Sequence, residues 1–102
     1  MQFPANIDVI NNLIANPMNT HFLLMAQYGQ AAVPLERVAA DYLGLGEREA
    51  KRRALDGSLV VPAFRCGLSQ KSPWMVSLGD LAEWLDKQAE RARRDHMNLS
   101  RT

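Results

Sequence analysis

The side chains best suited to chemistry in this sequence are cations and small hydrogen-bond donors gathered near its middle, and the chemistry they suit is anion recognition. Arg48, Lys51, Arg52 and Arg53 fall on one short segment, and Arg65, Ser69, Gln70, Lys71 and Ser72 fall on another just after it. A guanidinium is a planar fork that fits a phosphate or the edge of a guanine with two hydrogen bonds, whereas a lysine ammonium meets phosphate as a point charge. Serine and glutamine at a loop tip can bond phosphate oxygens without reading base sequence. Each segment has an ordinary alternative. The first could be a solvated helix face with Glu47 paired to Lys51 and Glu49 to Arg53 at i,i+4, and the second a plain polar loop. Their adjacency favours anion recognition.

Both segments need elements to hold them. Gly46 to Leu55, closed by Asp56 and Gly57, reads as a helix. At about 100° per residue, Ala50 and Ala54 form its inward face, Arg48 and Arg52 point nearly opposite, and Lys51 lies on the flank. Two small alanines permit close packing on a preceding helix. That helix opens at Pro34 and repeats Leu35, Val38, Ala39, Tyr42 and Leu43 at helical spacing, with Gly44-Leu45-Gly46 as the break between the two. After the basic helix, Val60 to Cys66, a turn from Gly67 to Pro73, and Trp74 to Val76 read as a hairpin with Ser69 to Ser72 at its tip. Trp74 belongs to the core beneath this hairpin, because Val76 shares its strand face. The order predicts an α+β fold: a winged helix-turn-helix with a small β hairpin and a long C-terminal helix. Such a fold puts one helix in a DNA groove and a loop on the backbone.

The flanks complete this picture. Asn6 to Asn16 places Ile7, Ile10, Leu13 and Ile14 on one side of a short amphipathic helix, which Pro17 ends. Thr20 to Tyr28 is an apolar run whose length and turn-forming flanks, Asn19 and Gly29, predict a buried strand rather than a helix. Ser77 to Asp80 reads as a capping box opening the last helix, with Leu78, Leu81, Ala82 and Leu85 on one face. Charge takes over from Glu90 to Asp95, so that end projects beyond the domain and frays toward Thr102. Trp84 is expected in the core beside Leu81 and Leu85, with a subunit contact as its alternative. The expected divisions are residues 1–17 as an N-terminal extension, 18–88 as the DNA-binding domain, and 89–102 as a charged helix end and tail.

Bulk composition narrows the function classes. A chain of 102 residues makes one domain, too small for a deep cleft between domains, and 47% hydrophobic with 23% charged residues is a globular composition. The formal net charge of +1 hides a local excess: from Leu45 to Lys71 six cations face three anions. Cys66 is the only cysteine, which excludes an intrachain disulfide and a Cys-rich zinc site and leaves a small packed side chain as its expected role. No apolar run approaches the length of a bilayer span, and Asp8, Asn11 and Asn12 interrupt any secretory signal, so a reducing, cytoplasmic setting is expected. His21 and His96 stand far apart with no metal-ligand spacing, and no phosphate-binding glycine loop or nucleophile motif occurs. Glu83 with Asp86 or Glu90 is a helix-surface carboxylate set. Neither an enzyme nor a metal or cofactor is expected.

Met18-Asn19-Thr20-His21-Phe22-Leu23-Leu24-Met25-Ala26-Gln27-Tyr28, Val33 to Val38, Asp41-Tyr42, Ala50-Lys51-Arg52, Ser69 to Trp74 and Asp80-Leu81-Ala82 closely resemble the pyocin activator family, from Met18 to about Asp86. More loosely, Val38-Ala39 through Gly57, then Pro62, Trp74 and Asp80 to Leu85, are similar to the winged helix of phage excisionases and MerR-type regulators. The resemblance implies a DNA-binding transcriptional activator of phage-tail-like bacteriocin or prophage genes, in a setting tied to the DNA-damage response. The family usually begins at the equivalent of Met18, which makes residues 1–17 either an extension or the product of an upstream start choice. The implied partners are double-stranded DNA and, for an activator, RNA polymerase. A short helix and one wing cover few base pairs, so a homodimer or cooperative array is also expected. The apolar sides of Ile7, Ile10, Leu13 and Ile14, the Phe22 to Met25 run and Trp84 would supply the contact, the alternative being that the N-terminal helix folds back over its own domain. An excisionase-like protein that bends DNA and an antirepressor acting by protein contact are the alternatives on the same scaffold.

Overall fold

The computed structural model describes residues 17–100, with side chains from Asn19 to Leu99, and its first element corrects an expectation. The run read as a strand is a helix, α1, Pro17–Tyr28. Leu24 and Tyr28 are buried, whereas Phe22, Leu23 and Met25 are exposed, so burial recurs at i,i+4 and not at alternate residues. Leucine, methionine, alanine and glutamine favour helix locally, and the continuous apolar run concealed which face was inward. Gly29 stops the helix at φ 71°, in the left-handed region that suits glycine, and its N–H donates to the Met25 carbonyl at 2.7 Å.

The chain then forms β1, Ala32–Pro34, and passes directly into α2, Leu35–Val38. The expected α-helix through Leu43 instead finishes in a π-helical turn, Ala39–Leu43. The Ala39 carbonyl accepts N–H bonds from both Gly44 and Leu45, which widens the last turn, and Gly44 at φ 65° reverses the chain. The basic helix follows as α3, Glu47–Asp56.

The hairpin is narrower than expected. Only Phe64–Arg65, β2, pairs with Trp74–Ser77, β3, setting Phe64 opposite Met75 and Arg65 opposite Trp74. Val60 to Ala63 stay outside the sheet, where Pro62 has no N–H to give a ladder. Val61 is nevertheless buried. The other edge of β3 carries β1, unforeseen from sequence, with Val33 opposite Val76, so the antiparallel sheet has the order β1-β3-β2.

The last helix, α4, Leu78–Ser100, begins directly after β3, and the Leu78 N–H donates to the Ala31 carbonyl at 3.0 Å. Leu78, Leu81 and Ala82 are buried as their spacing predicts, and from Lys87 to Leu99 the helix is exposed. Among the described residues the fold is therefore α+β, with four helices, one small sheet and a long C-terminal helix. Its core joins Val33, Leu35, Val38, Ala50, Val76, Leu78 and Leu81. Thr20 ties α1 to α4 by donating to Asp86 at 2.7 Å, and Tyr28 ties α1 to the π-helical turn by donating to Asp41 at 2.6 Å. No helix among the described residues is long and apolar enough to cross a membrane. The amphipathic helix expected over Asn6 to Asn16 lies outside the described residues, as do residues 101 and 102.

Candidate nucleic-acid interface

The basic helix is seated by its smallest residue. Ala50 is fully buried and packs α3 onto α2, and Ala54 is half-buried one turn later, as their spacing predicted. Gly46 caps the start in an extended conformation, with its carbonyl accepting from the Ala50 N–H at 2.9 Å. At the other end Gly57, at φ 80°, donates to the Arg53 carbonyl, and the Ser58 N–H bonds the Asp56 carboxylate at 2.9 Å. Burial of Ala50 turns the opposite face of α3 toward solvent.

On that face the cations differ in what they hold. Lys51 pairs with Glu47 at 2.8 Å, and Arg53 pairs with Glu49 at 2.9 Å, which are the two i,i+4 pairs read from the sequence. Arg52 is engaged more than the spacing suggested. It grips Glu49 through Nη2 at 2.5 Å and Nε at 3.1 Å, and it reaches Asp56 at 3.1 Å. The hydrogen bond from Arg52, then that from Arg53, holds the Glu49 carboxyl down at about 2. Lys51 lowers Glu47 in the same way, and its own ammonium is raised by that contact. Arg48 is exposed and makes no ion pair among the described residues, in a shallow depression it lines with Glu47 and Lys51.

The second donor group lies on a hydrogen-bonded loop tip. Arg65 lies over the Trp74 ring, 4.7 Å from its centroid, and donates to the Gln70 carbonyl across the loop. The Lys71 N–H donates to Ser69 Oγ at 3.1 Å, and the Ser72 N–H to the Ser69 carbonyl at 3.0 Å. A Cβ at Gly67 would run into the Ser72 hydroxyl, so a larger residue there needs the Ser72 side chain to move. The Lys71 side chain is left exposed, as are Ser69 and Gln70, while Ser72 is half-buried. Arg65 therefore shapes the loop as well as carrying charge. Trp74 lies beneath it, half-buried as expected, but Cys66 is exposed rather than packed, because the two-residue strand ends at Arg65.

Chemically, this surface offers Arg48, with no ion pair among the described residues, two arginines and a lysine already on carboxylates, and a hydrogen-bonded loop with one arginine and one lysine. No group of three His, Cys, Asp or Glu side chains among the described residues could hold a metal ion. The model of the family described as pyocin activator protein PrtN matches residues 20–92. The chain belongs to the pyocin activator family. Its family segment thus takes in α1 from Thr20, the whole sheet, α3, the loop tip and α4 as far as Ala92. No curated protein and no solved structure matches the chain.

Reading the residues alone missed the Tyr28–Asp41 bond, which registers α1 against the π-helical turn, and the flanking bond from the Tyr42 hydroxyl to Gln27 at 2.9 Å. Arg37, stacked 5.1 Å from the Tyr28 ring centroid, belongs to the same junction. Tyr28 and Asp41, on a presumed strand and a helix, gave no signal that they pair. Trp84 packs against the core cluster, in keeping with its expected placement.

Proposed function

We propose that this member of the pyocin activator family is a sequence-specific activator of bacteriocin or prophage genes, binding duplex DNA as a winged helix-turn-helix. The observation that carries the proposal is the orientation of α3: Ala50 is locked against α2, and the unpaired Arg48 stands on the exposed side. In this reading Arg48 reads a base edge in the major groove. Arg52, Arg53 and Lys51 exchange carboxylates for phosphates on contact, so Glu49, Glu47 and Asp56 hold them in place beforehand. The β2–β3 loop is the wing, where Lys71, Ser69, Gln70 and Ser72 meet the backbone and Arg65 braces the loop.

A helix this short specifies few base pairs, so the protein acts as a homodimer or cooperative array. The exposed Phe22, Leu23 and Met25 on α1 supply apolar surface for that contact. RNA polymerase is the second partner of the bound activator, and the setting is the cytoplasm. Electrophoretic shift of duplex DNA over a salt series, combined with a promoter fusion, tests the proposal. Salt-dependent binding together with induced transcription is expected. Binding with recombination but no induction would assign an excisionase role instead. Induction without any duplex binding would assign an antirepressor.

A further inference from the structure

The tip of the β2–β3 loop carries a side chain that phosphate contact does not use. Leu68 is fully exposed between Gly67 and Ser69, in a loop that carries the Arg65–Gln70, Lys71–Ser69 and Ser72–Ser69 hydrogen bonds. A leucine standing in water gains from any apolar surface that covers it. A single leucine is too little for a protein-docking surface, which is built around a cluster of apolar anchors. Its surroundings select the partner. From Gly57 to Gly79 there is no acidic residue, and the two cations of that stretch, Arg65 and Lys71, lie three residues to either side of the leucine in the chain. An apolar residue on a loop with cations and no anions complements a target that has anionic rims and an apolar interior.

We propose that Leu68 is a wedge that enters the minor groove of bound duplex DNA and unstacks one base step, bending the duplex. This rests on the DNA-binding reading above and extends it from contact to deformation. The minor groove, about 6 Å wide, excludes a helix but admits a loop tip with one projecting side chain. Lys71, Ser69 and Gln70 would then meet the phosphates on its two walls, and Leu68 would lie against the exposed base planes. Pyrimidine–purine steps, which unstack most easily, are the preferred point of entry, so Leu68 confers specificity at a position without base hydrogen bonds.

The test uses the full chain on duplexes with 2-aminopurine placed in turn at each pyrimidine–purine step, with end-to-end energy transfer reporting the bend. Leu68→Ser and Leu68→Phe are compared with the parent after circular dichroism has confirmed the fold. The parent is expected to bend the duplex on the order of 20–90° and to raise fluorescence at one step. Leu68→Phe keeps both effects, whereas Leu68→Ser still binds through its cations but loses both. Undiminished bend and fluorescence with Leu68→Ser would overturn the wedge, and it would do so equally if transcription fell, because the leucine would then be meeting a protein. Absence of salt-dependent binding by the parent would instead remove the DNA reading itself.

Discussion

Removing one hydroxyl, in Tyr28→Phe, isolates the bond that registers α1 against the π-helical turn. The ring is buried and keeps its packing in the variant, so the loss is confined to the 2.6 Å hydrogen bond to Asp41. Bonds to charged partners contribute about 1.5–3 kcal/mol. Because Asp41 is exposed and rehydrates when freed, about 1–2 kcal/mol is expected here. For a domain of this size that lowers Tm by roughly 4–16 °C. Burial first, and then the Asp41 hydrogen bond, pushes the phenol well above its ordinary 10.0. The corresponding stability is fully present below pH 10 and declines as pH rises above it, since the unfolded tyrosine ionises first. Thermal unfolding followed by circular dichroism, with Asp41→Asn and the double variant completing a cycle, reads these quantities. A Tm unchanged in Tyr28→Phe, or fully additive single variants, would refute a coupled bond at this junction.

Three further outcomes follow from the basic surface. Arg48→Ala should weaken binding to a cognate duplex by roughly 1–3 kcal/mol in fluorescence anisotropy. Arg52→Ala should weaken it by less, because its guanidinium already holds Glu49 and Asp56, and the reverse order would mean that α3 meets DNA by another face. Lys71→Ala should reduce the salt slope by about one unit and weaken cognate and random duplexes alike; a loss confined to the cognate duplex would show that Lys71 reads sequence. The Glu49 carboxyl should titrate near 2 by NMR and return toward 4.5 when Arg52 and Arg53 are both alanine. Its stabilising contribution is full above pH 4.5 and lost as pH falls toward 2, and a wild-type midpoint near 4.5 would show that the paired geometry does not persist in solution.

Where local rules and tertiary packing agree, the fold could be read from the residues. Gly46, Ala50, Ala54 and Gly57 mark the start, the inward face and the end of α3 by composition alone, and Leu78, Leu81 and Ala82 do the same for the base of α4. The errors fall where those rules conflict. In α1 four consecutive apolar residues, Phe22 to Met25, obscure an i,i+4 pattern of which only Leu24 is deeply buried among them, so length and flanking residues favoured a strand. β1 is three residues ending in Pro34, too short to carry an alternating pattern, and it exists because Val33 pairs with Val76 from more than forty residues away. At the candidate site the residue types were legible, including the Glu47–Lys51 and Glu49–Arg53 pairs. Which arginine stays unpaired was not, since Glu49 accepts from both Arg52 and Arg53, and Asp56 at the helix end completes the Arg52 contact.

Footprinting of the full chain on the promoters adjoining its own gene tests most directly whether α3 and the β2–β3 loop form a sequence-reading DNA surface. The expected result is a discrete protected site with related half-sites about 10–10.5 base pairs apart or a multiple of that, its protection lost with Arg48→Ala while the folded state is retained. Uniform protection without a preferred site, or the same discrete site protected equally by Arg48→Ala, would contradict it.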